Sequence, residues 1–128
     1  MTDEKLIIKA QEAMEKAYAP YSGFKVGAAL LCKDGSVYTG CNVENSSYGA
    51  ANCAERTAIF KAVSEGHKEF AKIAIVSGTQ EYTYPCGICR QVMSEFFTED
   101  TIIIINDKNL GKKKIAFKDI MPHPFCIK

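Results

Sequence analysis

Two short segments, Cys53-Ala54-Glu55 and Pro85-Cys86-Gly87-Ile88-Cys89, stand where the sequence predicts the starts of two helices. The first helix is predicted over residues 53–65 and ends before Gly66, and the second is predicted over residues 86–97. Helix N-termini favour thiolates, because the helix dipole and the free N–H groups stabilise negative charge. Three cysteines on two adjacent helix starts can bind Zn²⁺ and leave its fourth tetrahedral position open to water, which is typical of a catalytic zinc site.

The sequence around these helices alternates between helical and strand patterns. A helix is predicted over residues 3–18, with Thr2 as its cap and Pro20 as its stop. Strands are predicted over residues 25–32, 37–43, 73–76, 101–105 and 114–117, with loops over residues 44–52 and 78–85. A hairpin turn is predicted at Asp34-Gly35, and a solvated turn at the three lysines of residues 112–114. Only residues 106–113 separate the last two strands, which is too short for a parallel crossover, so these strands should pair antiparallel. The pattern predicts an α/β fold with a mixed sheet of about five strands.

Composition limits the class of protein. The chain has 128 residues, the length of a single domain, which we predict to span residues 1–128. The net charge of +1 lacks the excess of Lys and Arg expected of a nucleic-acid binder. The longest aliphatic run, residues 102–105, falls far short of the roughly 18 apolar residues of a membrane span, and the N-terminus has no apolar signal segment. We therefore expect a cytoplasmic protein without nucleic-acid or membrane partners, whose six cysteines are thiols or metal ligands.

The cysteines and Glu55 each have an alternative interpretation. Cys-x-x-Cys pairs also occur in redox dithiols and structural zinc sites, and a fourth ligand from Cys32, Cys41 or Cys126 would close the site. Buried structural cysteine is the favoured role for Cys32 and Cys41. Glu55 could complete a capping box with Asn52 as the cap. Beside an open zinc, the same carboxylate could take the proton of an activated water.

Cys-Ala-Glu followed by Pro-Cys-x-x-Cys is the three-cysteine form of the zinc-deaminase signature. The chain closely resembles the small homotetrameric, free-nucleoside cytidine deaminases, with matching segments at residues 24–30, 40–45, 53–58 and 85–91. The resemblance implies a three-layer α/β fold, with a mixed five-stranded sheet, helices on both faces and the last two strands antiparallel. It also implies one Zn²⁺ per subunit and a homotetramer with shared active sites. The implied reaction is hydrolytic deamination of cytidine and 2′-deoxycytidine to uridine and 2′-deoxyuridine plus ammonia, in pyrimidine salvage.

The resemblance also assigns roles at the metal site. Cys53, Cys86 and Cys89 hold zinc, hydroxide attacks C4 of the pyrimidine, and Glu55 protonates N3 and later the departing amine. Arg56 would hydrogen-bond the ligand sulfurs and withdraw negative charge from them, although as a helix residue it could equally face solvent.

Substrate contacts follow from the same resemblance. Phe24 would stack on the pyrimidine, Asn42 and Glu44 would bond the ribose 3′-hydroxyl, and the backbone of Cys53 and Ala54 would bond the base. Tyr48 and Phe125 match positions that reach a neighbouring subunit's site. From the residues alone, Phe24 is an ordinary core aromatic, Asn42 and Glu44 are polar turn residues, and Tyr48 and Phe125 are hydrophobic packing.

Three other functions compete with this interpretation. A nucleic-acid-editing deaminase would have a basic groove and usually a helix between the last two strands. The net charge of +1 argues against the groove, and the short connection over residues 106–113 argues against the helix. A deaminase of a cytosine-nucleoside antibiotic such as blasticidin would share the zinc motifs. A non-catalytic, zinc-stabilised interaction module needs a fourth protein ligand and gives Glu55 no role.

Overall fold

The computed structural model describes residues 1–127. Its elements, in chain order, are α1 (Asp3–Met14), β1 (Val26–Cys32), β2 (Val37–Cys41), a 3₁₀ turn (Tyr48–Ala50), α2 (Ala54–Ser64), β3 (Phe70–Ser77), α3 (Gly87–Phe96), β4 (Ile102–Asp107), β5 (Gly111–Ala116) and α4 (Phe117–Ile120). None of the helices within residues 1–127 has the length and apolar character needed to cross a bilayer.

The five strands form one mixed sheet in the order β2-β1-β3-β4-β5. β1 pairs antiparallel with both β2 and β3, β3 pairs parallel with β4, and β4 pairs antiparallel with β5. The predicted antiparallel pairing of the last two strands is therefore confirmed. The turn between them is tight because the Asp107 carboxylate accepts hydrogen bonds from the backbone N–H groups of Asn109 and Leu110, at 2.8 and 3.0 Å.

Helices cover both faces of this sheet, as predicted. On one face, Leu6 and Ala10 of α1 pack in a buried cluster with Ala29, Ala74 and Ile104 of the three central strands. On the other face, α2 and α3 contribute to a larger cluster with strand residues such as Ala28, Ile75 and Ile103. Because successive side chains of a strand point to opposite faces, neighbouring positions on β1 feed the two clusters separately.

Two strand glycines allow the helices to approach the sheet closely. A Cβ atom on Gly40 would lie 2.5 Å from the carbonyl oxygen of Ala54 and 2.6 Å from the backbone nitrogen of Ala58. A Cβ atom on Gly27 would overlap the carbonyl of Ala10 in α1. The lack of a side chain at Gly40 thus lets the first turn of α2 rest directly on β2.

The lysine run of residues 112–114 lies in β5, and the prediction of a solvated turn is wrong there. Its alternate members, Lys112 and Lys114, reach the buried carboxylate of Asp3 at 3.2 and 3.1 Å, and Lys72 of β3 pairs with the same carboxylate. An edge strand rich in lysine also discourages pairing with other chains. Other element boundaries differ by a few residues, most at α1, which ends at Met14 before the predicted end at Tyr18.

Candidate active site

The first turn of α2 places Cys53 and Glu55 at the edge of the sheet. Cys53 is the N-cap residue, with extended backbone angles, and its thiol makes no capping bond to the helix. Asn52 is not the cap: its side chain donates to the hydroxyl of Thr57 at 3.0 Å. The capping-box interpretation of Glu55 is therefore wrong, because Glu55 sits in the helix one residue earlier than a capping box requires and its side chain is buried.

The first turn of α3 brings the other two cysteines together. Cys86 is the N-cap, and its sulfur accepts a hydrogen bond from the backbone N–H of Cys89 at 3.4 Å. Arg90 fixes the segment before this turn, since its Nε donates to the carbonyl of Pro85 and its Nη1 to the carbonyl of Ile120, both at 2.8 Å.

The three thiols of Cys53, Cys86 and Cys89 form one cluster, with all sulfur atoms within 4.8 Å of one another. The sulfurs of Cys53 and Cys86 are 3.8 Å apart. Three convergent thiols are a donor set that suits zinc, and within residues 1–127 no other Cys, His, Asp or Glu belongs to this group. A tetrahedral ion held here would keep one position for a non-protein ligand, so a closed structural site finds no support.

Charge is distributed unevenly over the cluster. Hydrogen bonds from Cys89 and Arg56 lower the pKa of Cys53 to about 5, against the opposing effect of burial. The guanidinium Nη2 of Arg56 lies 3.4 Å from the Cys53 sulfur. The hydrogen bond between the thiols of Cys89 and Cys53, together with burial, raises the pKa of Cys89. The cation therefore faces the sulfur on which negative charge collects.

Glu55 is the buried carboxyl group beside these thiols. Glu55 is only 4% exposed. Burial raises the pKa of its carboxyl group to about 7, and the negative charge on Cys53 raises it further. A carboxyl group that titrates near neutrality can both accept and return a proton, which is what general acid–base catalysis requires.

A second hydrogen-bond network holds the residues proposed to contact substrate. The side-chain amide of Asn42 accepts from the N–H of Val26 and donates to the carbonyl of Phe24, both at 2.8 Å. The Glu44 carboxylate accepts from the N–H groups of Tyr21 and Ser22, at 3.0 and 3.1 Å, and from the Ser22 hydroxyl. Both side chains therefore shape the loop that carries Phe24, whose ring is partly exposed.

A backbone bridge joins this network to the thiol cluster. Val43 and Asn52 exchange two N–H to carbonyl hydrogen bonds of 2.9 Å, which fixes residues 42–44 next to the start of α2. The carbonyl of Cys53 accepts from both the N–H and the hydroxyl of Thr57, at 3.0 and 3.2 Å, and Ala54 is fully buried. The strand end and the helix start thus form one rigid wall of the site.

The two aromatic residues matched to a neighbouring subunit's site lie on the surface of this chain. Tyr48 is 84% exposed and lines a cleft of about 340 Å³ with Tyr21, Ser22 and Glu44. Phe125 is exposed as well, and its carbonyl accepts a hydrogen bond from the Gln91 side chain at 3.1 Å.

Sequence reasoning missed Ser22, Arg90 and Gln91, which position other parts of the site. Arg90 and Gln91 directly follow Cys89, so their place on the ligand helix was a usable signal. Ser22 is 22 residues from Glu44 in the sequence, and only the folded chain brings them together.

Fold and site together define a metal-binding α/β protein with the groups of a hydrolytic enzyme. The family model of the cytidine and deoxycytidylate deaminase zinc-binding region matches residues 1–105. The cytidine deaminase of Sporosarcina psychrophila is 57% identical over 125 residues, covering 98% of this chain and 92% of that protein. The cytidine deaminase of Halalkalibacterium halodurans is 49% identical, covering 98% of this chain and 95% of that protein.

A solved structure agrees with these sequence relatives. The crystal structure of the cytidine deaminase from Burkholderia pseudomallei superposes with a TM-score of 0.91 at 49% identity, covering 98% of this chain and all of that one. The chain belongs to the cytidine deaminase family. The family is a zinc-binding one, and the cluster of Cys53, Cys86 and Cys89 is compatible with its zinc site.

Proposed function

We propose that this chain catalyses the hydrolytic deamination of cytidine and 2′-deoxycytidine to the corresponding uracil nucleosides and ammonia. The observation that carries the proposal is the buried Glu55 carboxyl group beside three convergent thiols at two helix N-termini. The relatives named cytidine deaminase, which match nearly the whole chain, supply the substrate class.

Cys53, Cys86 and Cys89 would hold the zinc ion. When bound, zinc lowers the pKa of a coordinated water to about 7 from about 15.7 in bulk water. Three thiolates give the ion an excess of negative charge, which opposes this acidity. The Arg56 guanidinium at the Cys53 sulfur draws some of that charge away.

Glu55 moves the protons of the reaction. With a pKa near 7, its carboxylate accepts a proton from the attacking water, and the resulting acid protonates N3 of the pyrimidine. The same group then takes the second proton of the added water, from the new C4 hydroxyl group, and delivers it to the amine as the C4–N bond breaks and the C4 carbonyl forms. One water is consumed and one ammonia is released, so Glu55 ends in the state in which it began.

Phe24, Asn42 and Glu44 would hold the nucleoside. Phe24 offers a partly exposed ring for stacking on the base, and the Asn42–Glu44 segment borders the start of α2. Hydrogen bonds from Ser22 and Tyr21 lower the pKa of Glu44, so its carboxylate is charged at neutral pH. A fixed negative charge at the ribose site would repel the phosphate of a nucleotide, which favours free nucleosides.

We also infer a homotetramer in which neighbouring chains complete one another's sites. Support comes from the exposed aromatic side chains of Tyr48 and Phe125, at positions matched to intersubunit contacts, and from the exposed Phe60 and Ile88 on α2 and α3. Sedimentation equilibrium measures this directly, and a monomer with full activity would contradict it. The six cysteines form no disulfide within residues 1–127, which suits a reducing compartment such as the cytoplasm.

Replacing the proton carrier tests the mechanism. Glu55→Gln keeps the size of the side chain but cannot accept the proton, so deamination of cytidine should fall by about 10²–10⁴-fold while zinc content stays at the wild-type level. The assay is the loss of cytidine absorbance, with metal analysis of the same samples. Glu15→Gln, on the exposed end of α1, is the matched control and should match wild type. A Glu55→Gln protein that deaminates at the wild-type rate would refute the role.

A further inference from the structure

A second cluster of metal-binding side chains lies outside the active site. The Cys32 sulfur, an Asp34 carboxylate oxygen and a His67 ring nitrogen all lie within 4.8 Å of one another, the same limit that the three active-site thiols meet. The cluster stands beyond the C-terminal end of α2, whereas Cys53 stands at its N-terminal end. The 11 residues of this helix separate the two clusters by about 16 Å.

The hairpin between β1 and β2 fixes two of the three donors. Cys32 is only 2% exposed, its N–H donates to the carbonyl of Ser36 at 2.8 Å, and its carbonyl accepts from Gly35 at 3.0 Å. One carboxylate oxygen of Asp34 accepts from the N–H of Ser36 at 2.9 Å. The other oxygen remains directed at His67, whose Nδ1 is 3.3 Å away.

The segment between α2 and β3 fixes the third donor. Gly66 adopts a φ of 94°, which turns the chain back so that the N–H of His67 donates to the carbonyl of Ala62 at 2.9 Å. The imidazole packs against the ring of Tyr38, with centroids 5.3 Å apart. The backbone that carries all three donors is therefore fixed by local hydrogen bonds before any ligand arrives.

We propose that Cys32, Asp34 and His67 form a second metal site, which takes Zn²⁺ or a similar borderline transition-metal dication. A thiolate, an imidazole and a carboxylate are typical zinc ligands, whereas Mg²⁺ and Ca²⁺ prefer sites made only of oxygen. The thiolate and the carboxylate cancel the charge of the ion, and Glu69, which lines the same cleft, offsets part of the repulsion from Lys33 and Lys68.

Loading needs only a small inward movement of the donors. Ligands that lie about 2.0–2.3 Å from a tetrahedral zinc ion are roughly 3.3–3.8 Å from one another, which is inside the present 4.8 Å limit between the donor atoms. Asp34 is exposed and can rotate toward Cys32. A cleft of about 210 Å³, lined by Asp34 and His67 among others, gives the fourth position access to water. The bound ion would clamp the β1–β2 hairpin to the connection that follows α2.

The zinc-loaded enzyme itself provides the test. Titration with further Zn²⁺, followed by calorimetry and metal analysis, should show a second equivalent per chain and a higher melting temperature. The chain has two histidines, His67 and His123, so the imidazole NMR signals report the location of the ion directly. Those of His67 should shift on binding, and those of His123 should not.

Variants separate this site from the catalytic one. His67→Gln and Asp34→Asn should each weaken the second equivalent by at least about 10–100-fold, while the first equivalent and the deaminase activity are retained. His123→Gln is the matched control and should bind both equivalents. The proposal is overturned if a large excess of Zn²⁺ adds no second equivalent. It is equally overturned if a second equivalent persists in both His67→Gln and Asp34→Asn.

Discussion

At the scale of single residues, the site depends on which side chains are removed from water. The spacing of Cys53, Cys86 and Cys89 predicted a zinc cluster, because the thiols of two helix starts can converge on one ion. The burial of Glu55 could not be predicted from the spacing, because a capping residue and a catalytic residue would both place a carboxylate in the first helical turn. Its exposure depends on the packing of other elements around α2.

Arg56 offers a prediction at this scale. Arg56→Ala removes the cation at the Cys53 sulfur, so zinc affinity or kcat should fall by about 10–100-fold. Arg56→Lys restores the charge without the planar guanidinium and should recover part of the loss. Metal analysis and cytidine turnover are the measurements, with Lys61→Ala on the same helix as the control. Unchanged zinc content and unchanged kcat in Arg56→Ala would show that the contact is incidental.

At the scale of elements, periodicity located the helices and strands, and tertiary pairing set their limits. The predicted hairpin at Asp34-Gly35 is confirmed, because its turn residues carry their own conformational signal. The lysines of residues 112–114 carried no such signal. They extend β5 because β4 pairs with them and the distant Asp3 forms ion pairs with Lys112 and Lys114. Such a partner cannot be identified from the local sequence.

The close contact between β2 and α2 gives a prediction for Gly40. Gly40→Ala would place a methyl group 2.5 Å from the Ala54 carbonyl and push the first turn of α2 off the sheet. We expect a loss of about 1–3 kcal/mol in the free energy of unfolding, measured by urea denaturation. Activity should fall too, because α2 carries Glu55. Gly49→Ala, with no atom near its added methyl group, is the control. Equal stability of Gly40→Ala and wild type would contradict the close packing.

At the scale of the whole molecule, contacts between distant parts of the chain assemble the site and fasten the N-terminus. The Val43–Asn52 bridge joins the loop carrying Phe24 to the thiol cluster. Asp3 joins α1 to β3 and β5 through Lys72, Lys112 and Lys114. The family resemblance correctly predicted the mixed sheet covered on both faces, but neither of these links was predicted, since each depends on residues that meet only in the folded chain.

The Asp3 cluster makes stability depend on pH in a definite direction. Hydrogen bonds from Lys72, Lys114 and Lys112 hold the pKa of the Asp3 carboxyl group well below its usual value of 3.8. The unfolded chain therefore binds this proton more readily than the folded one, so the stabilisation is present above the usual pKa and is lost as the pH falls below it.

Asp3→Asn tests this linkage. The variant should lose about 1–3 kcal/mol of unfolding free energy at neutral pH, and its difference from wild type should shrink under acid conditions. Urea unfolding at several pH values measures both effects, and Glu12→Gln on the exposed part of α1 is the control. A difference that stays constant, or grows, toward low pH would contradict the account.

X-ray absorption at the zinc edge tests the central claim most directly, because it counts the atoms around the ion in the catalytic site. With the metal content adjusted to one zinc per chain, three sulfurs at about 2.3 Å and one lighter oxygen or nitrogen atom at about 2.0–2.2 Å are predicted. That shell would match the thiols of Cys53, Cys86 and Cys89 with one position left for water. Four sulfurs, or fewer than three, would contradict the account.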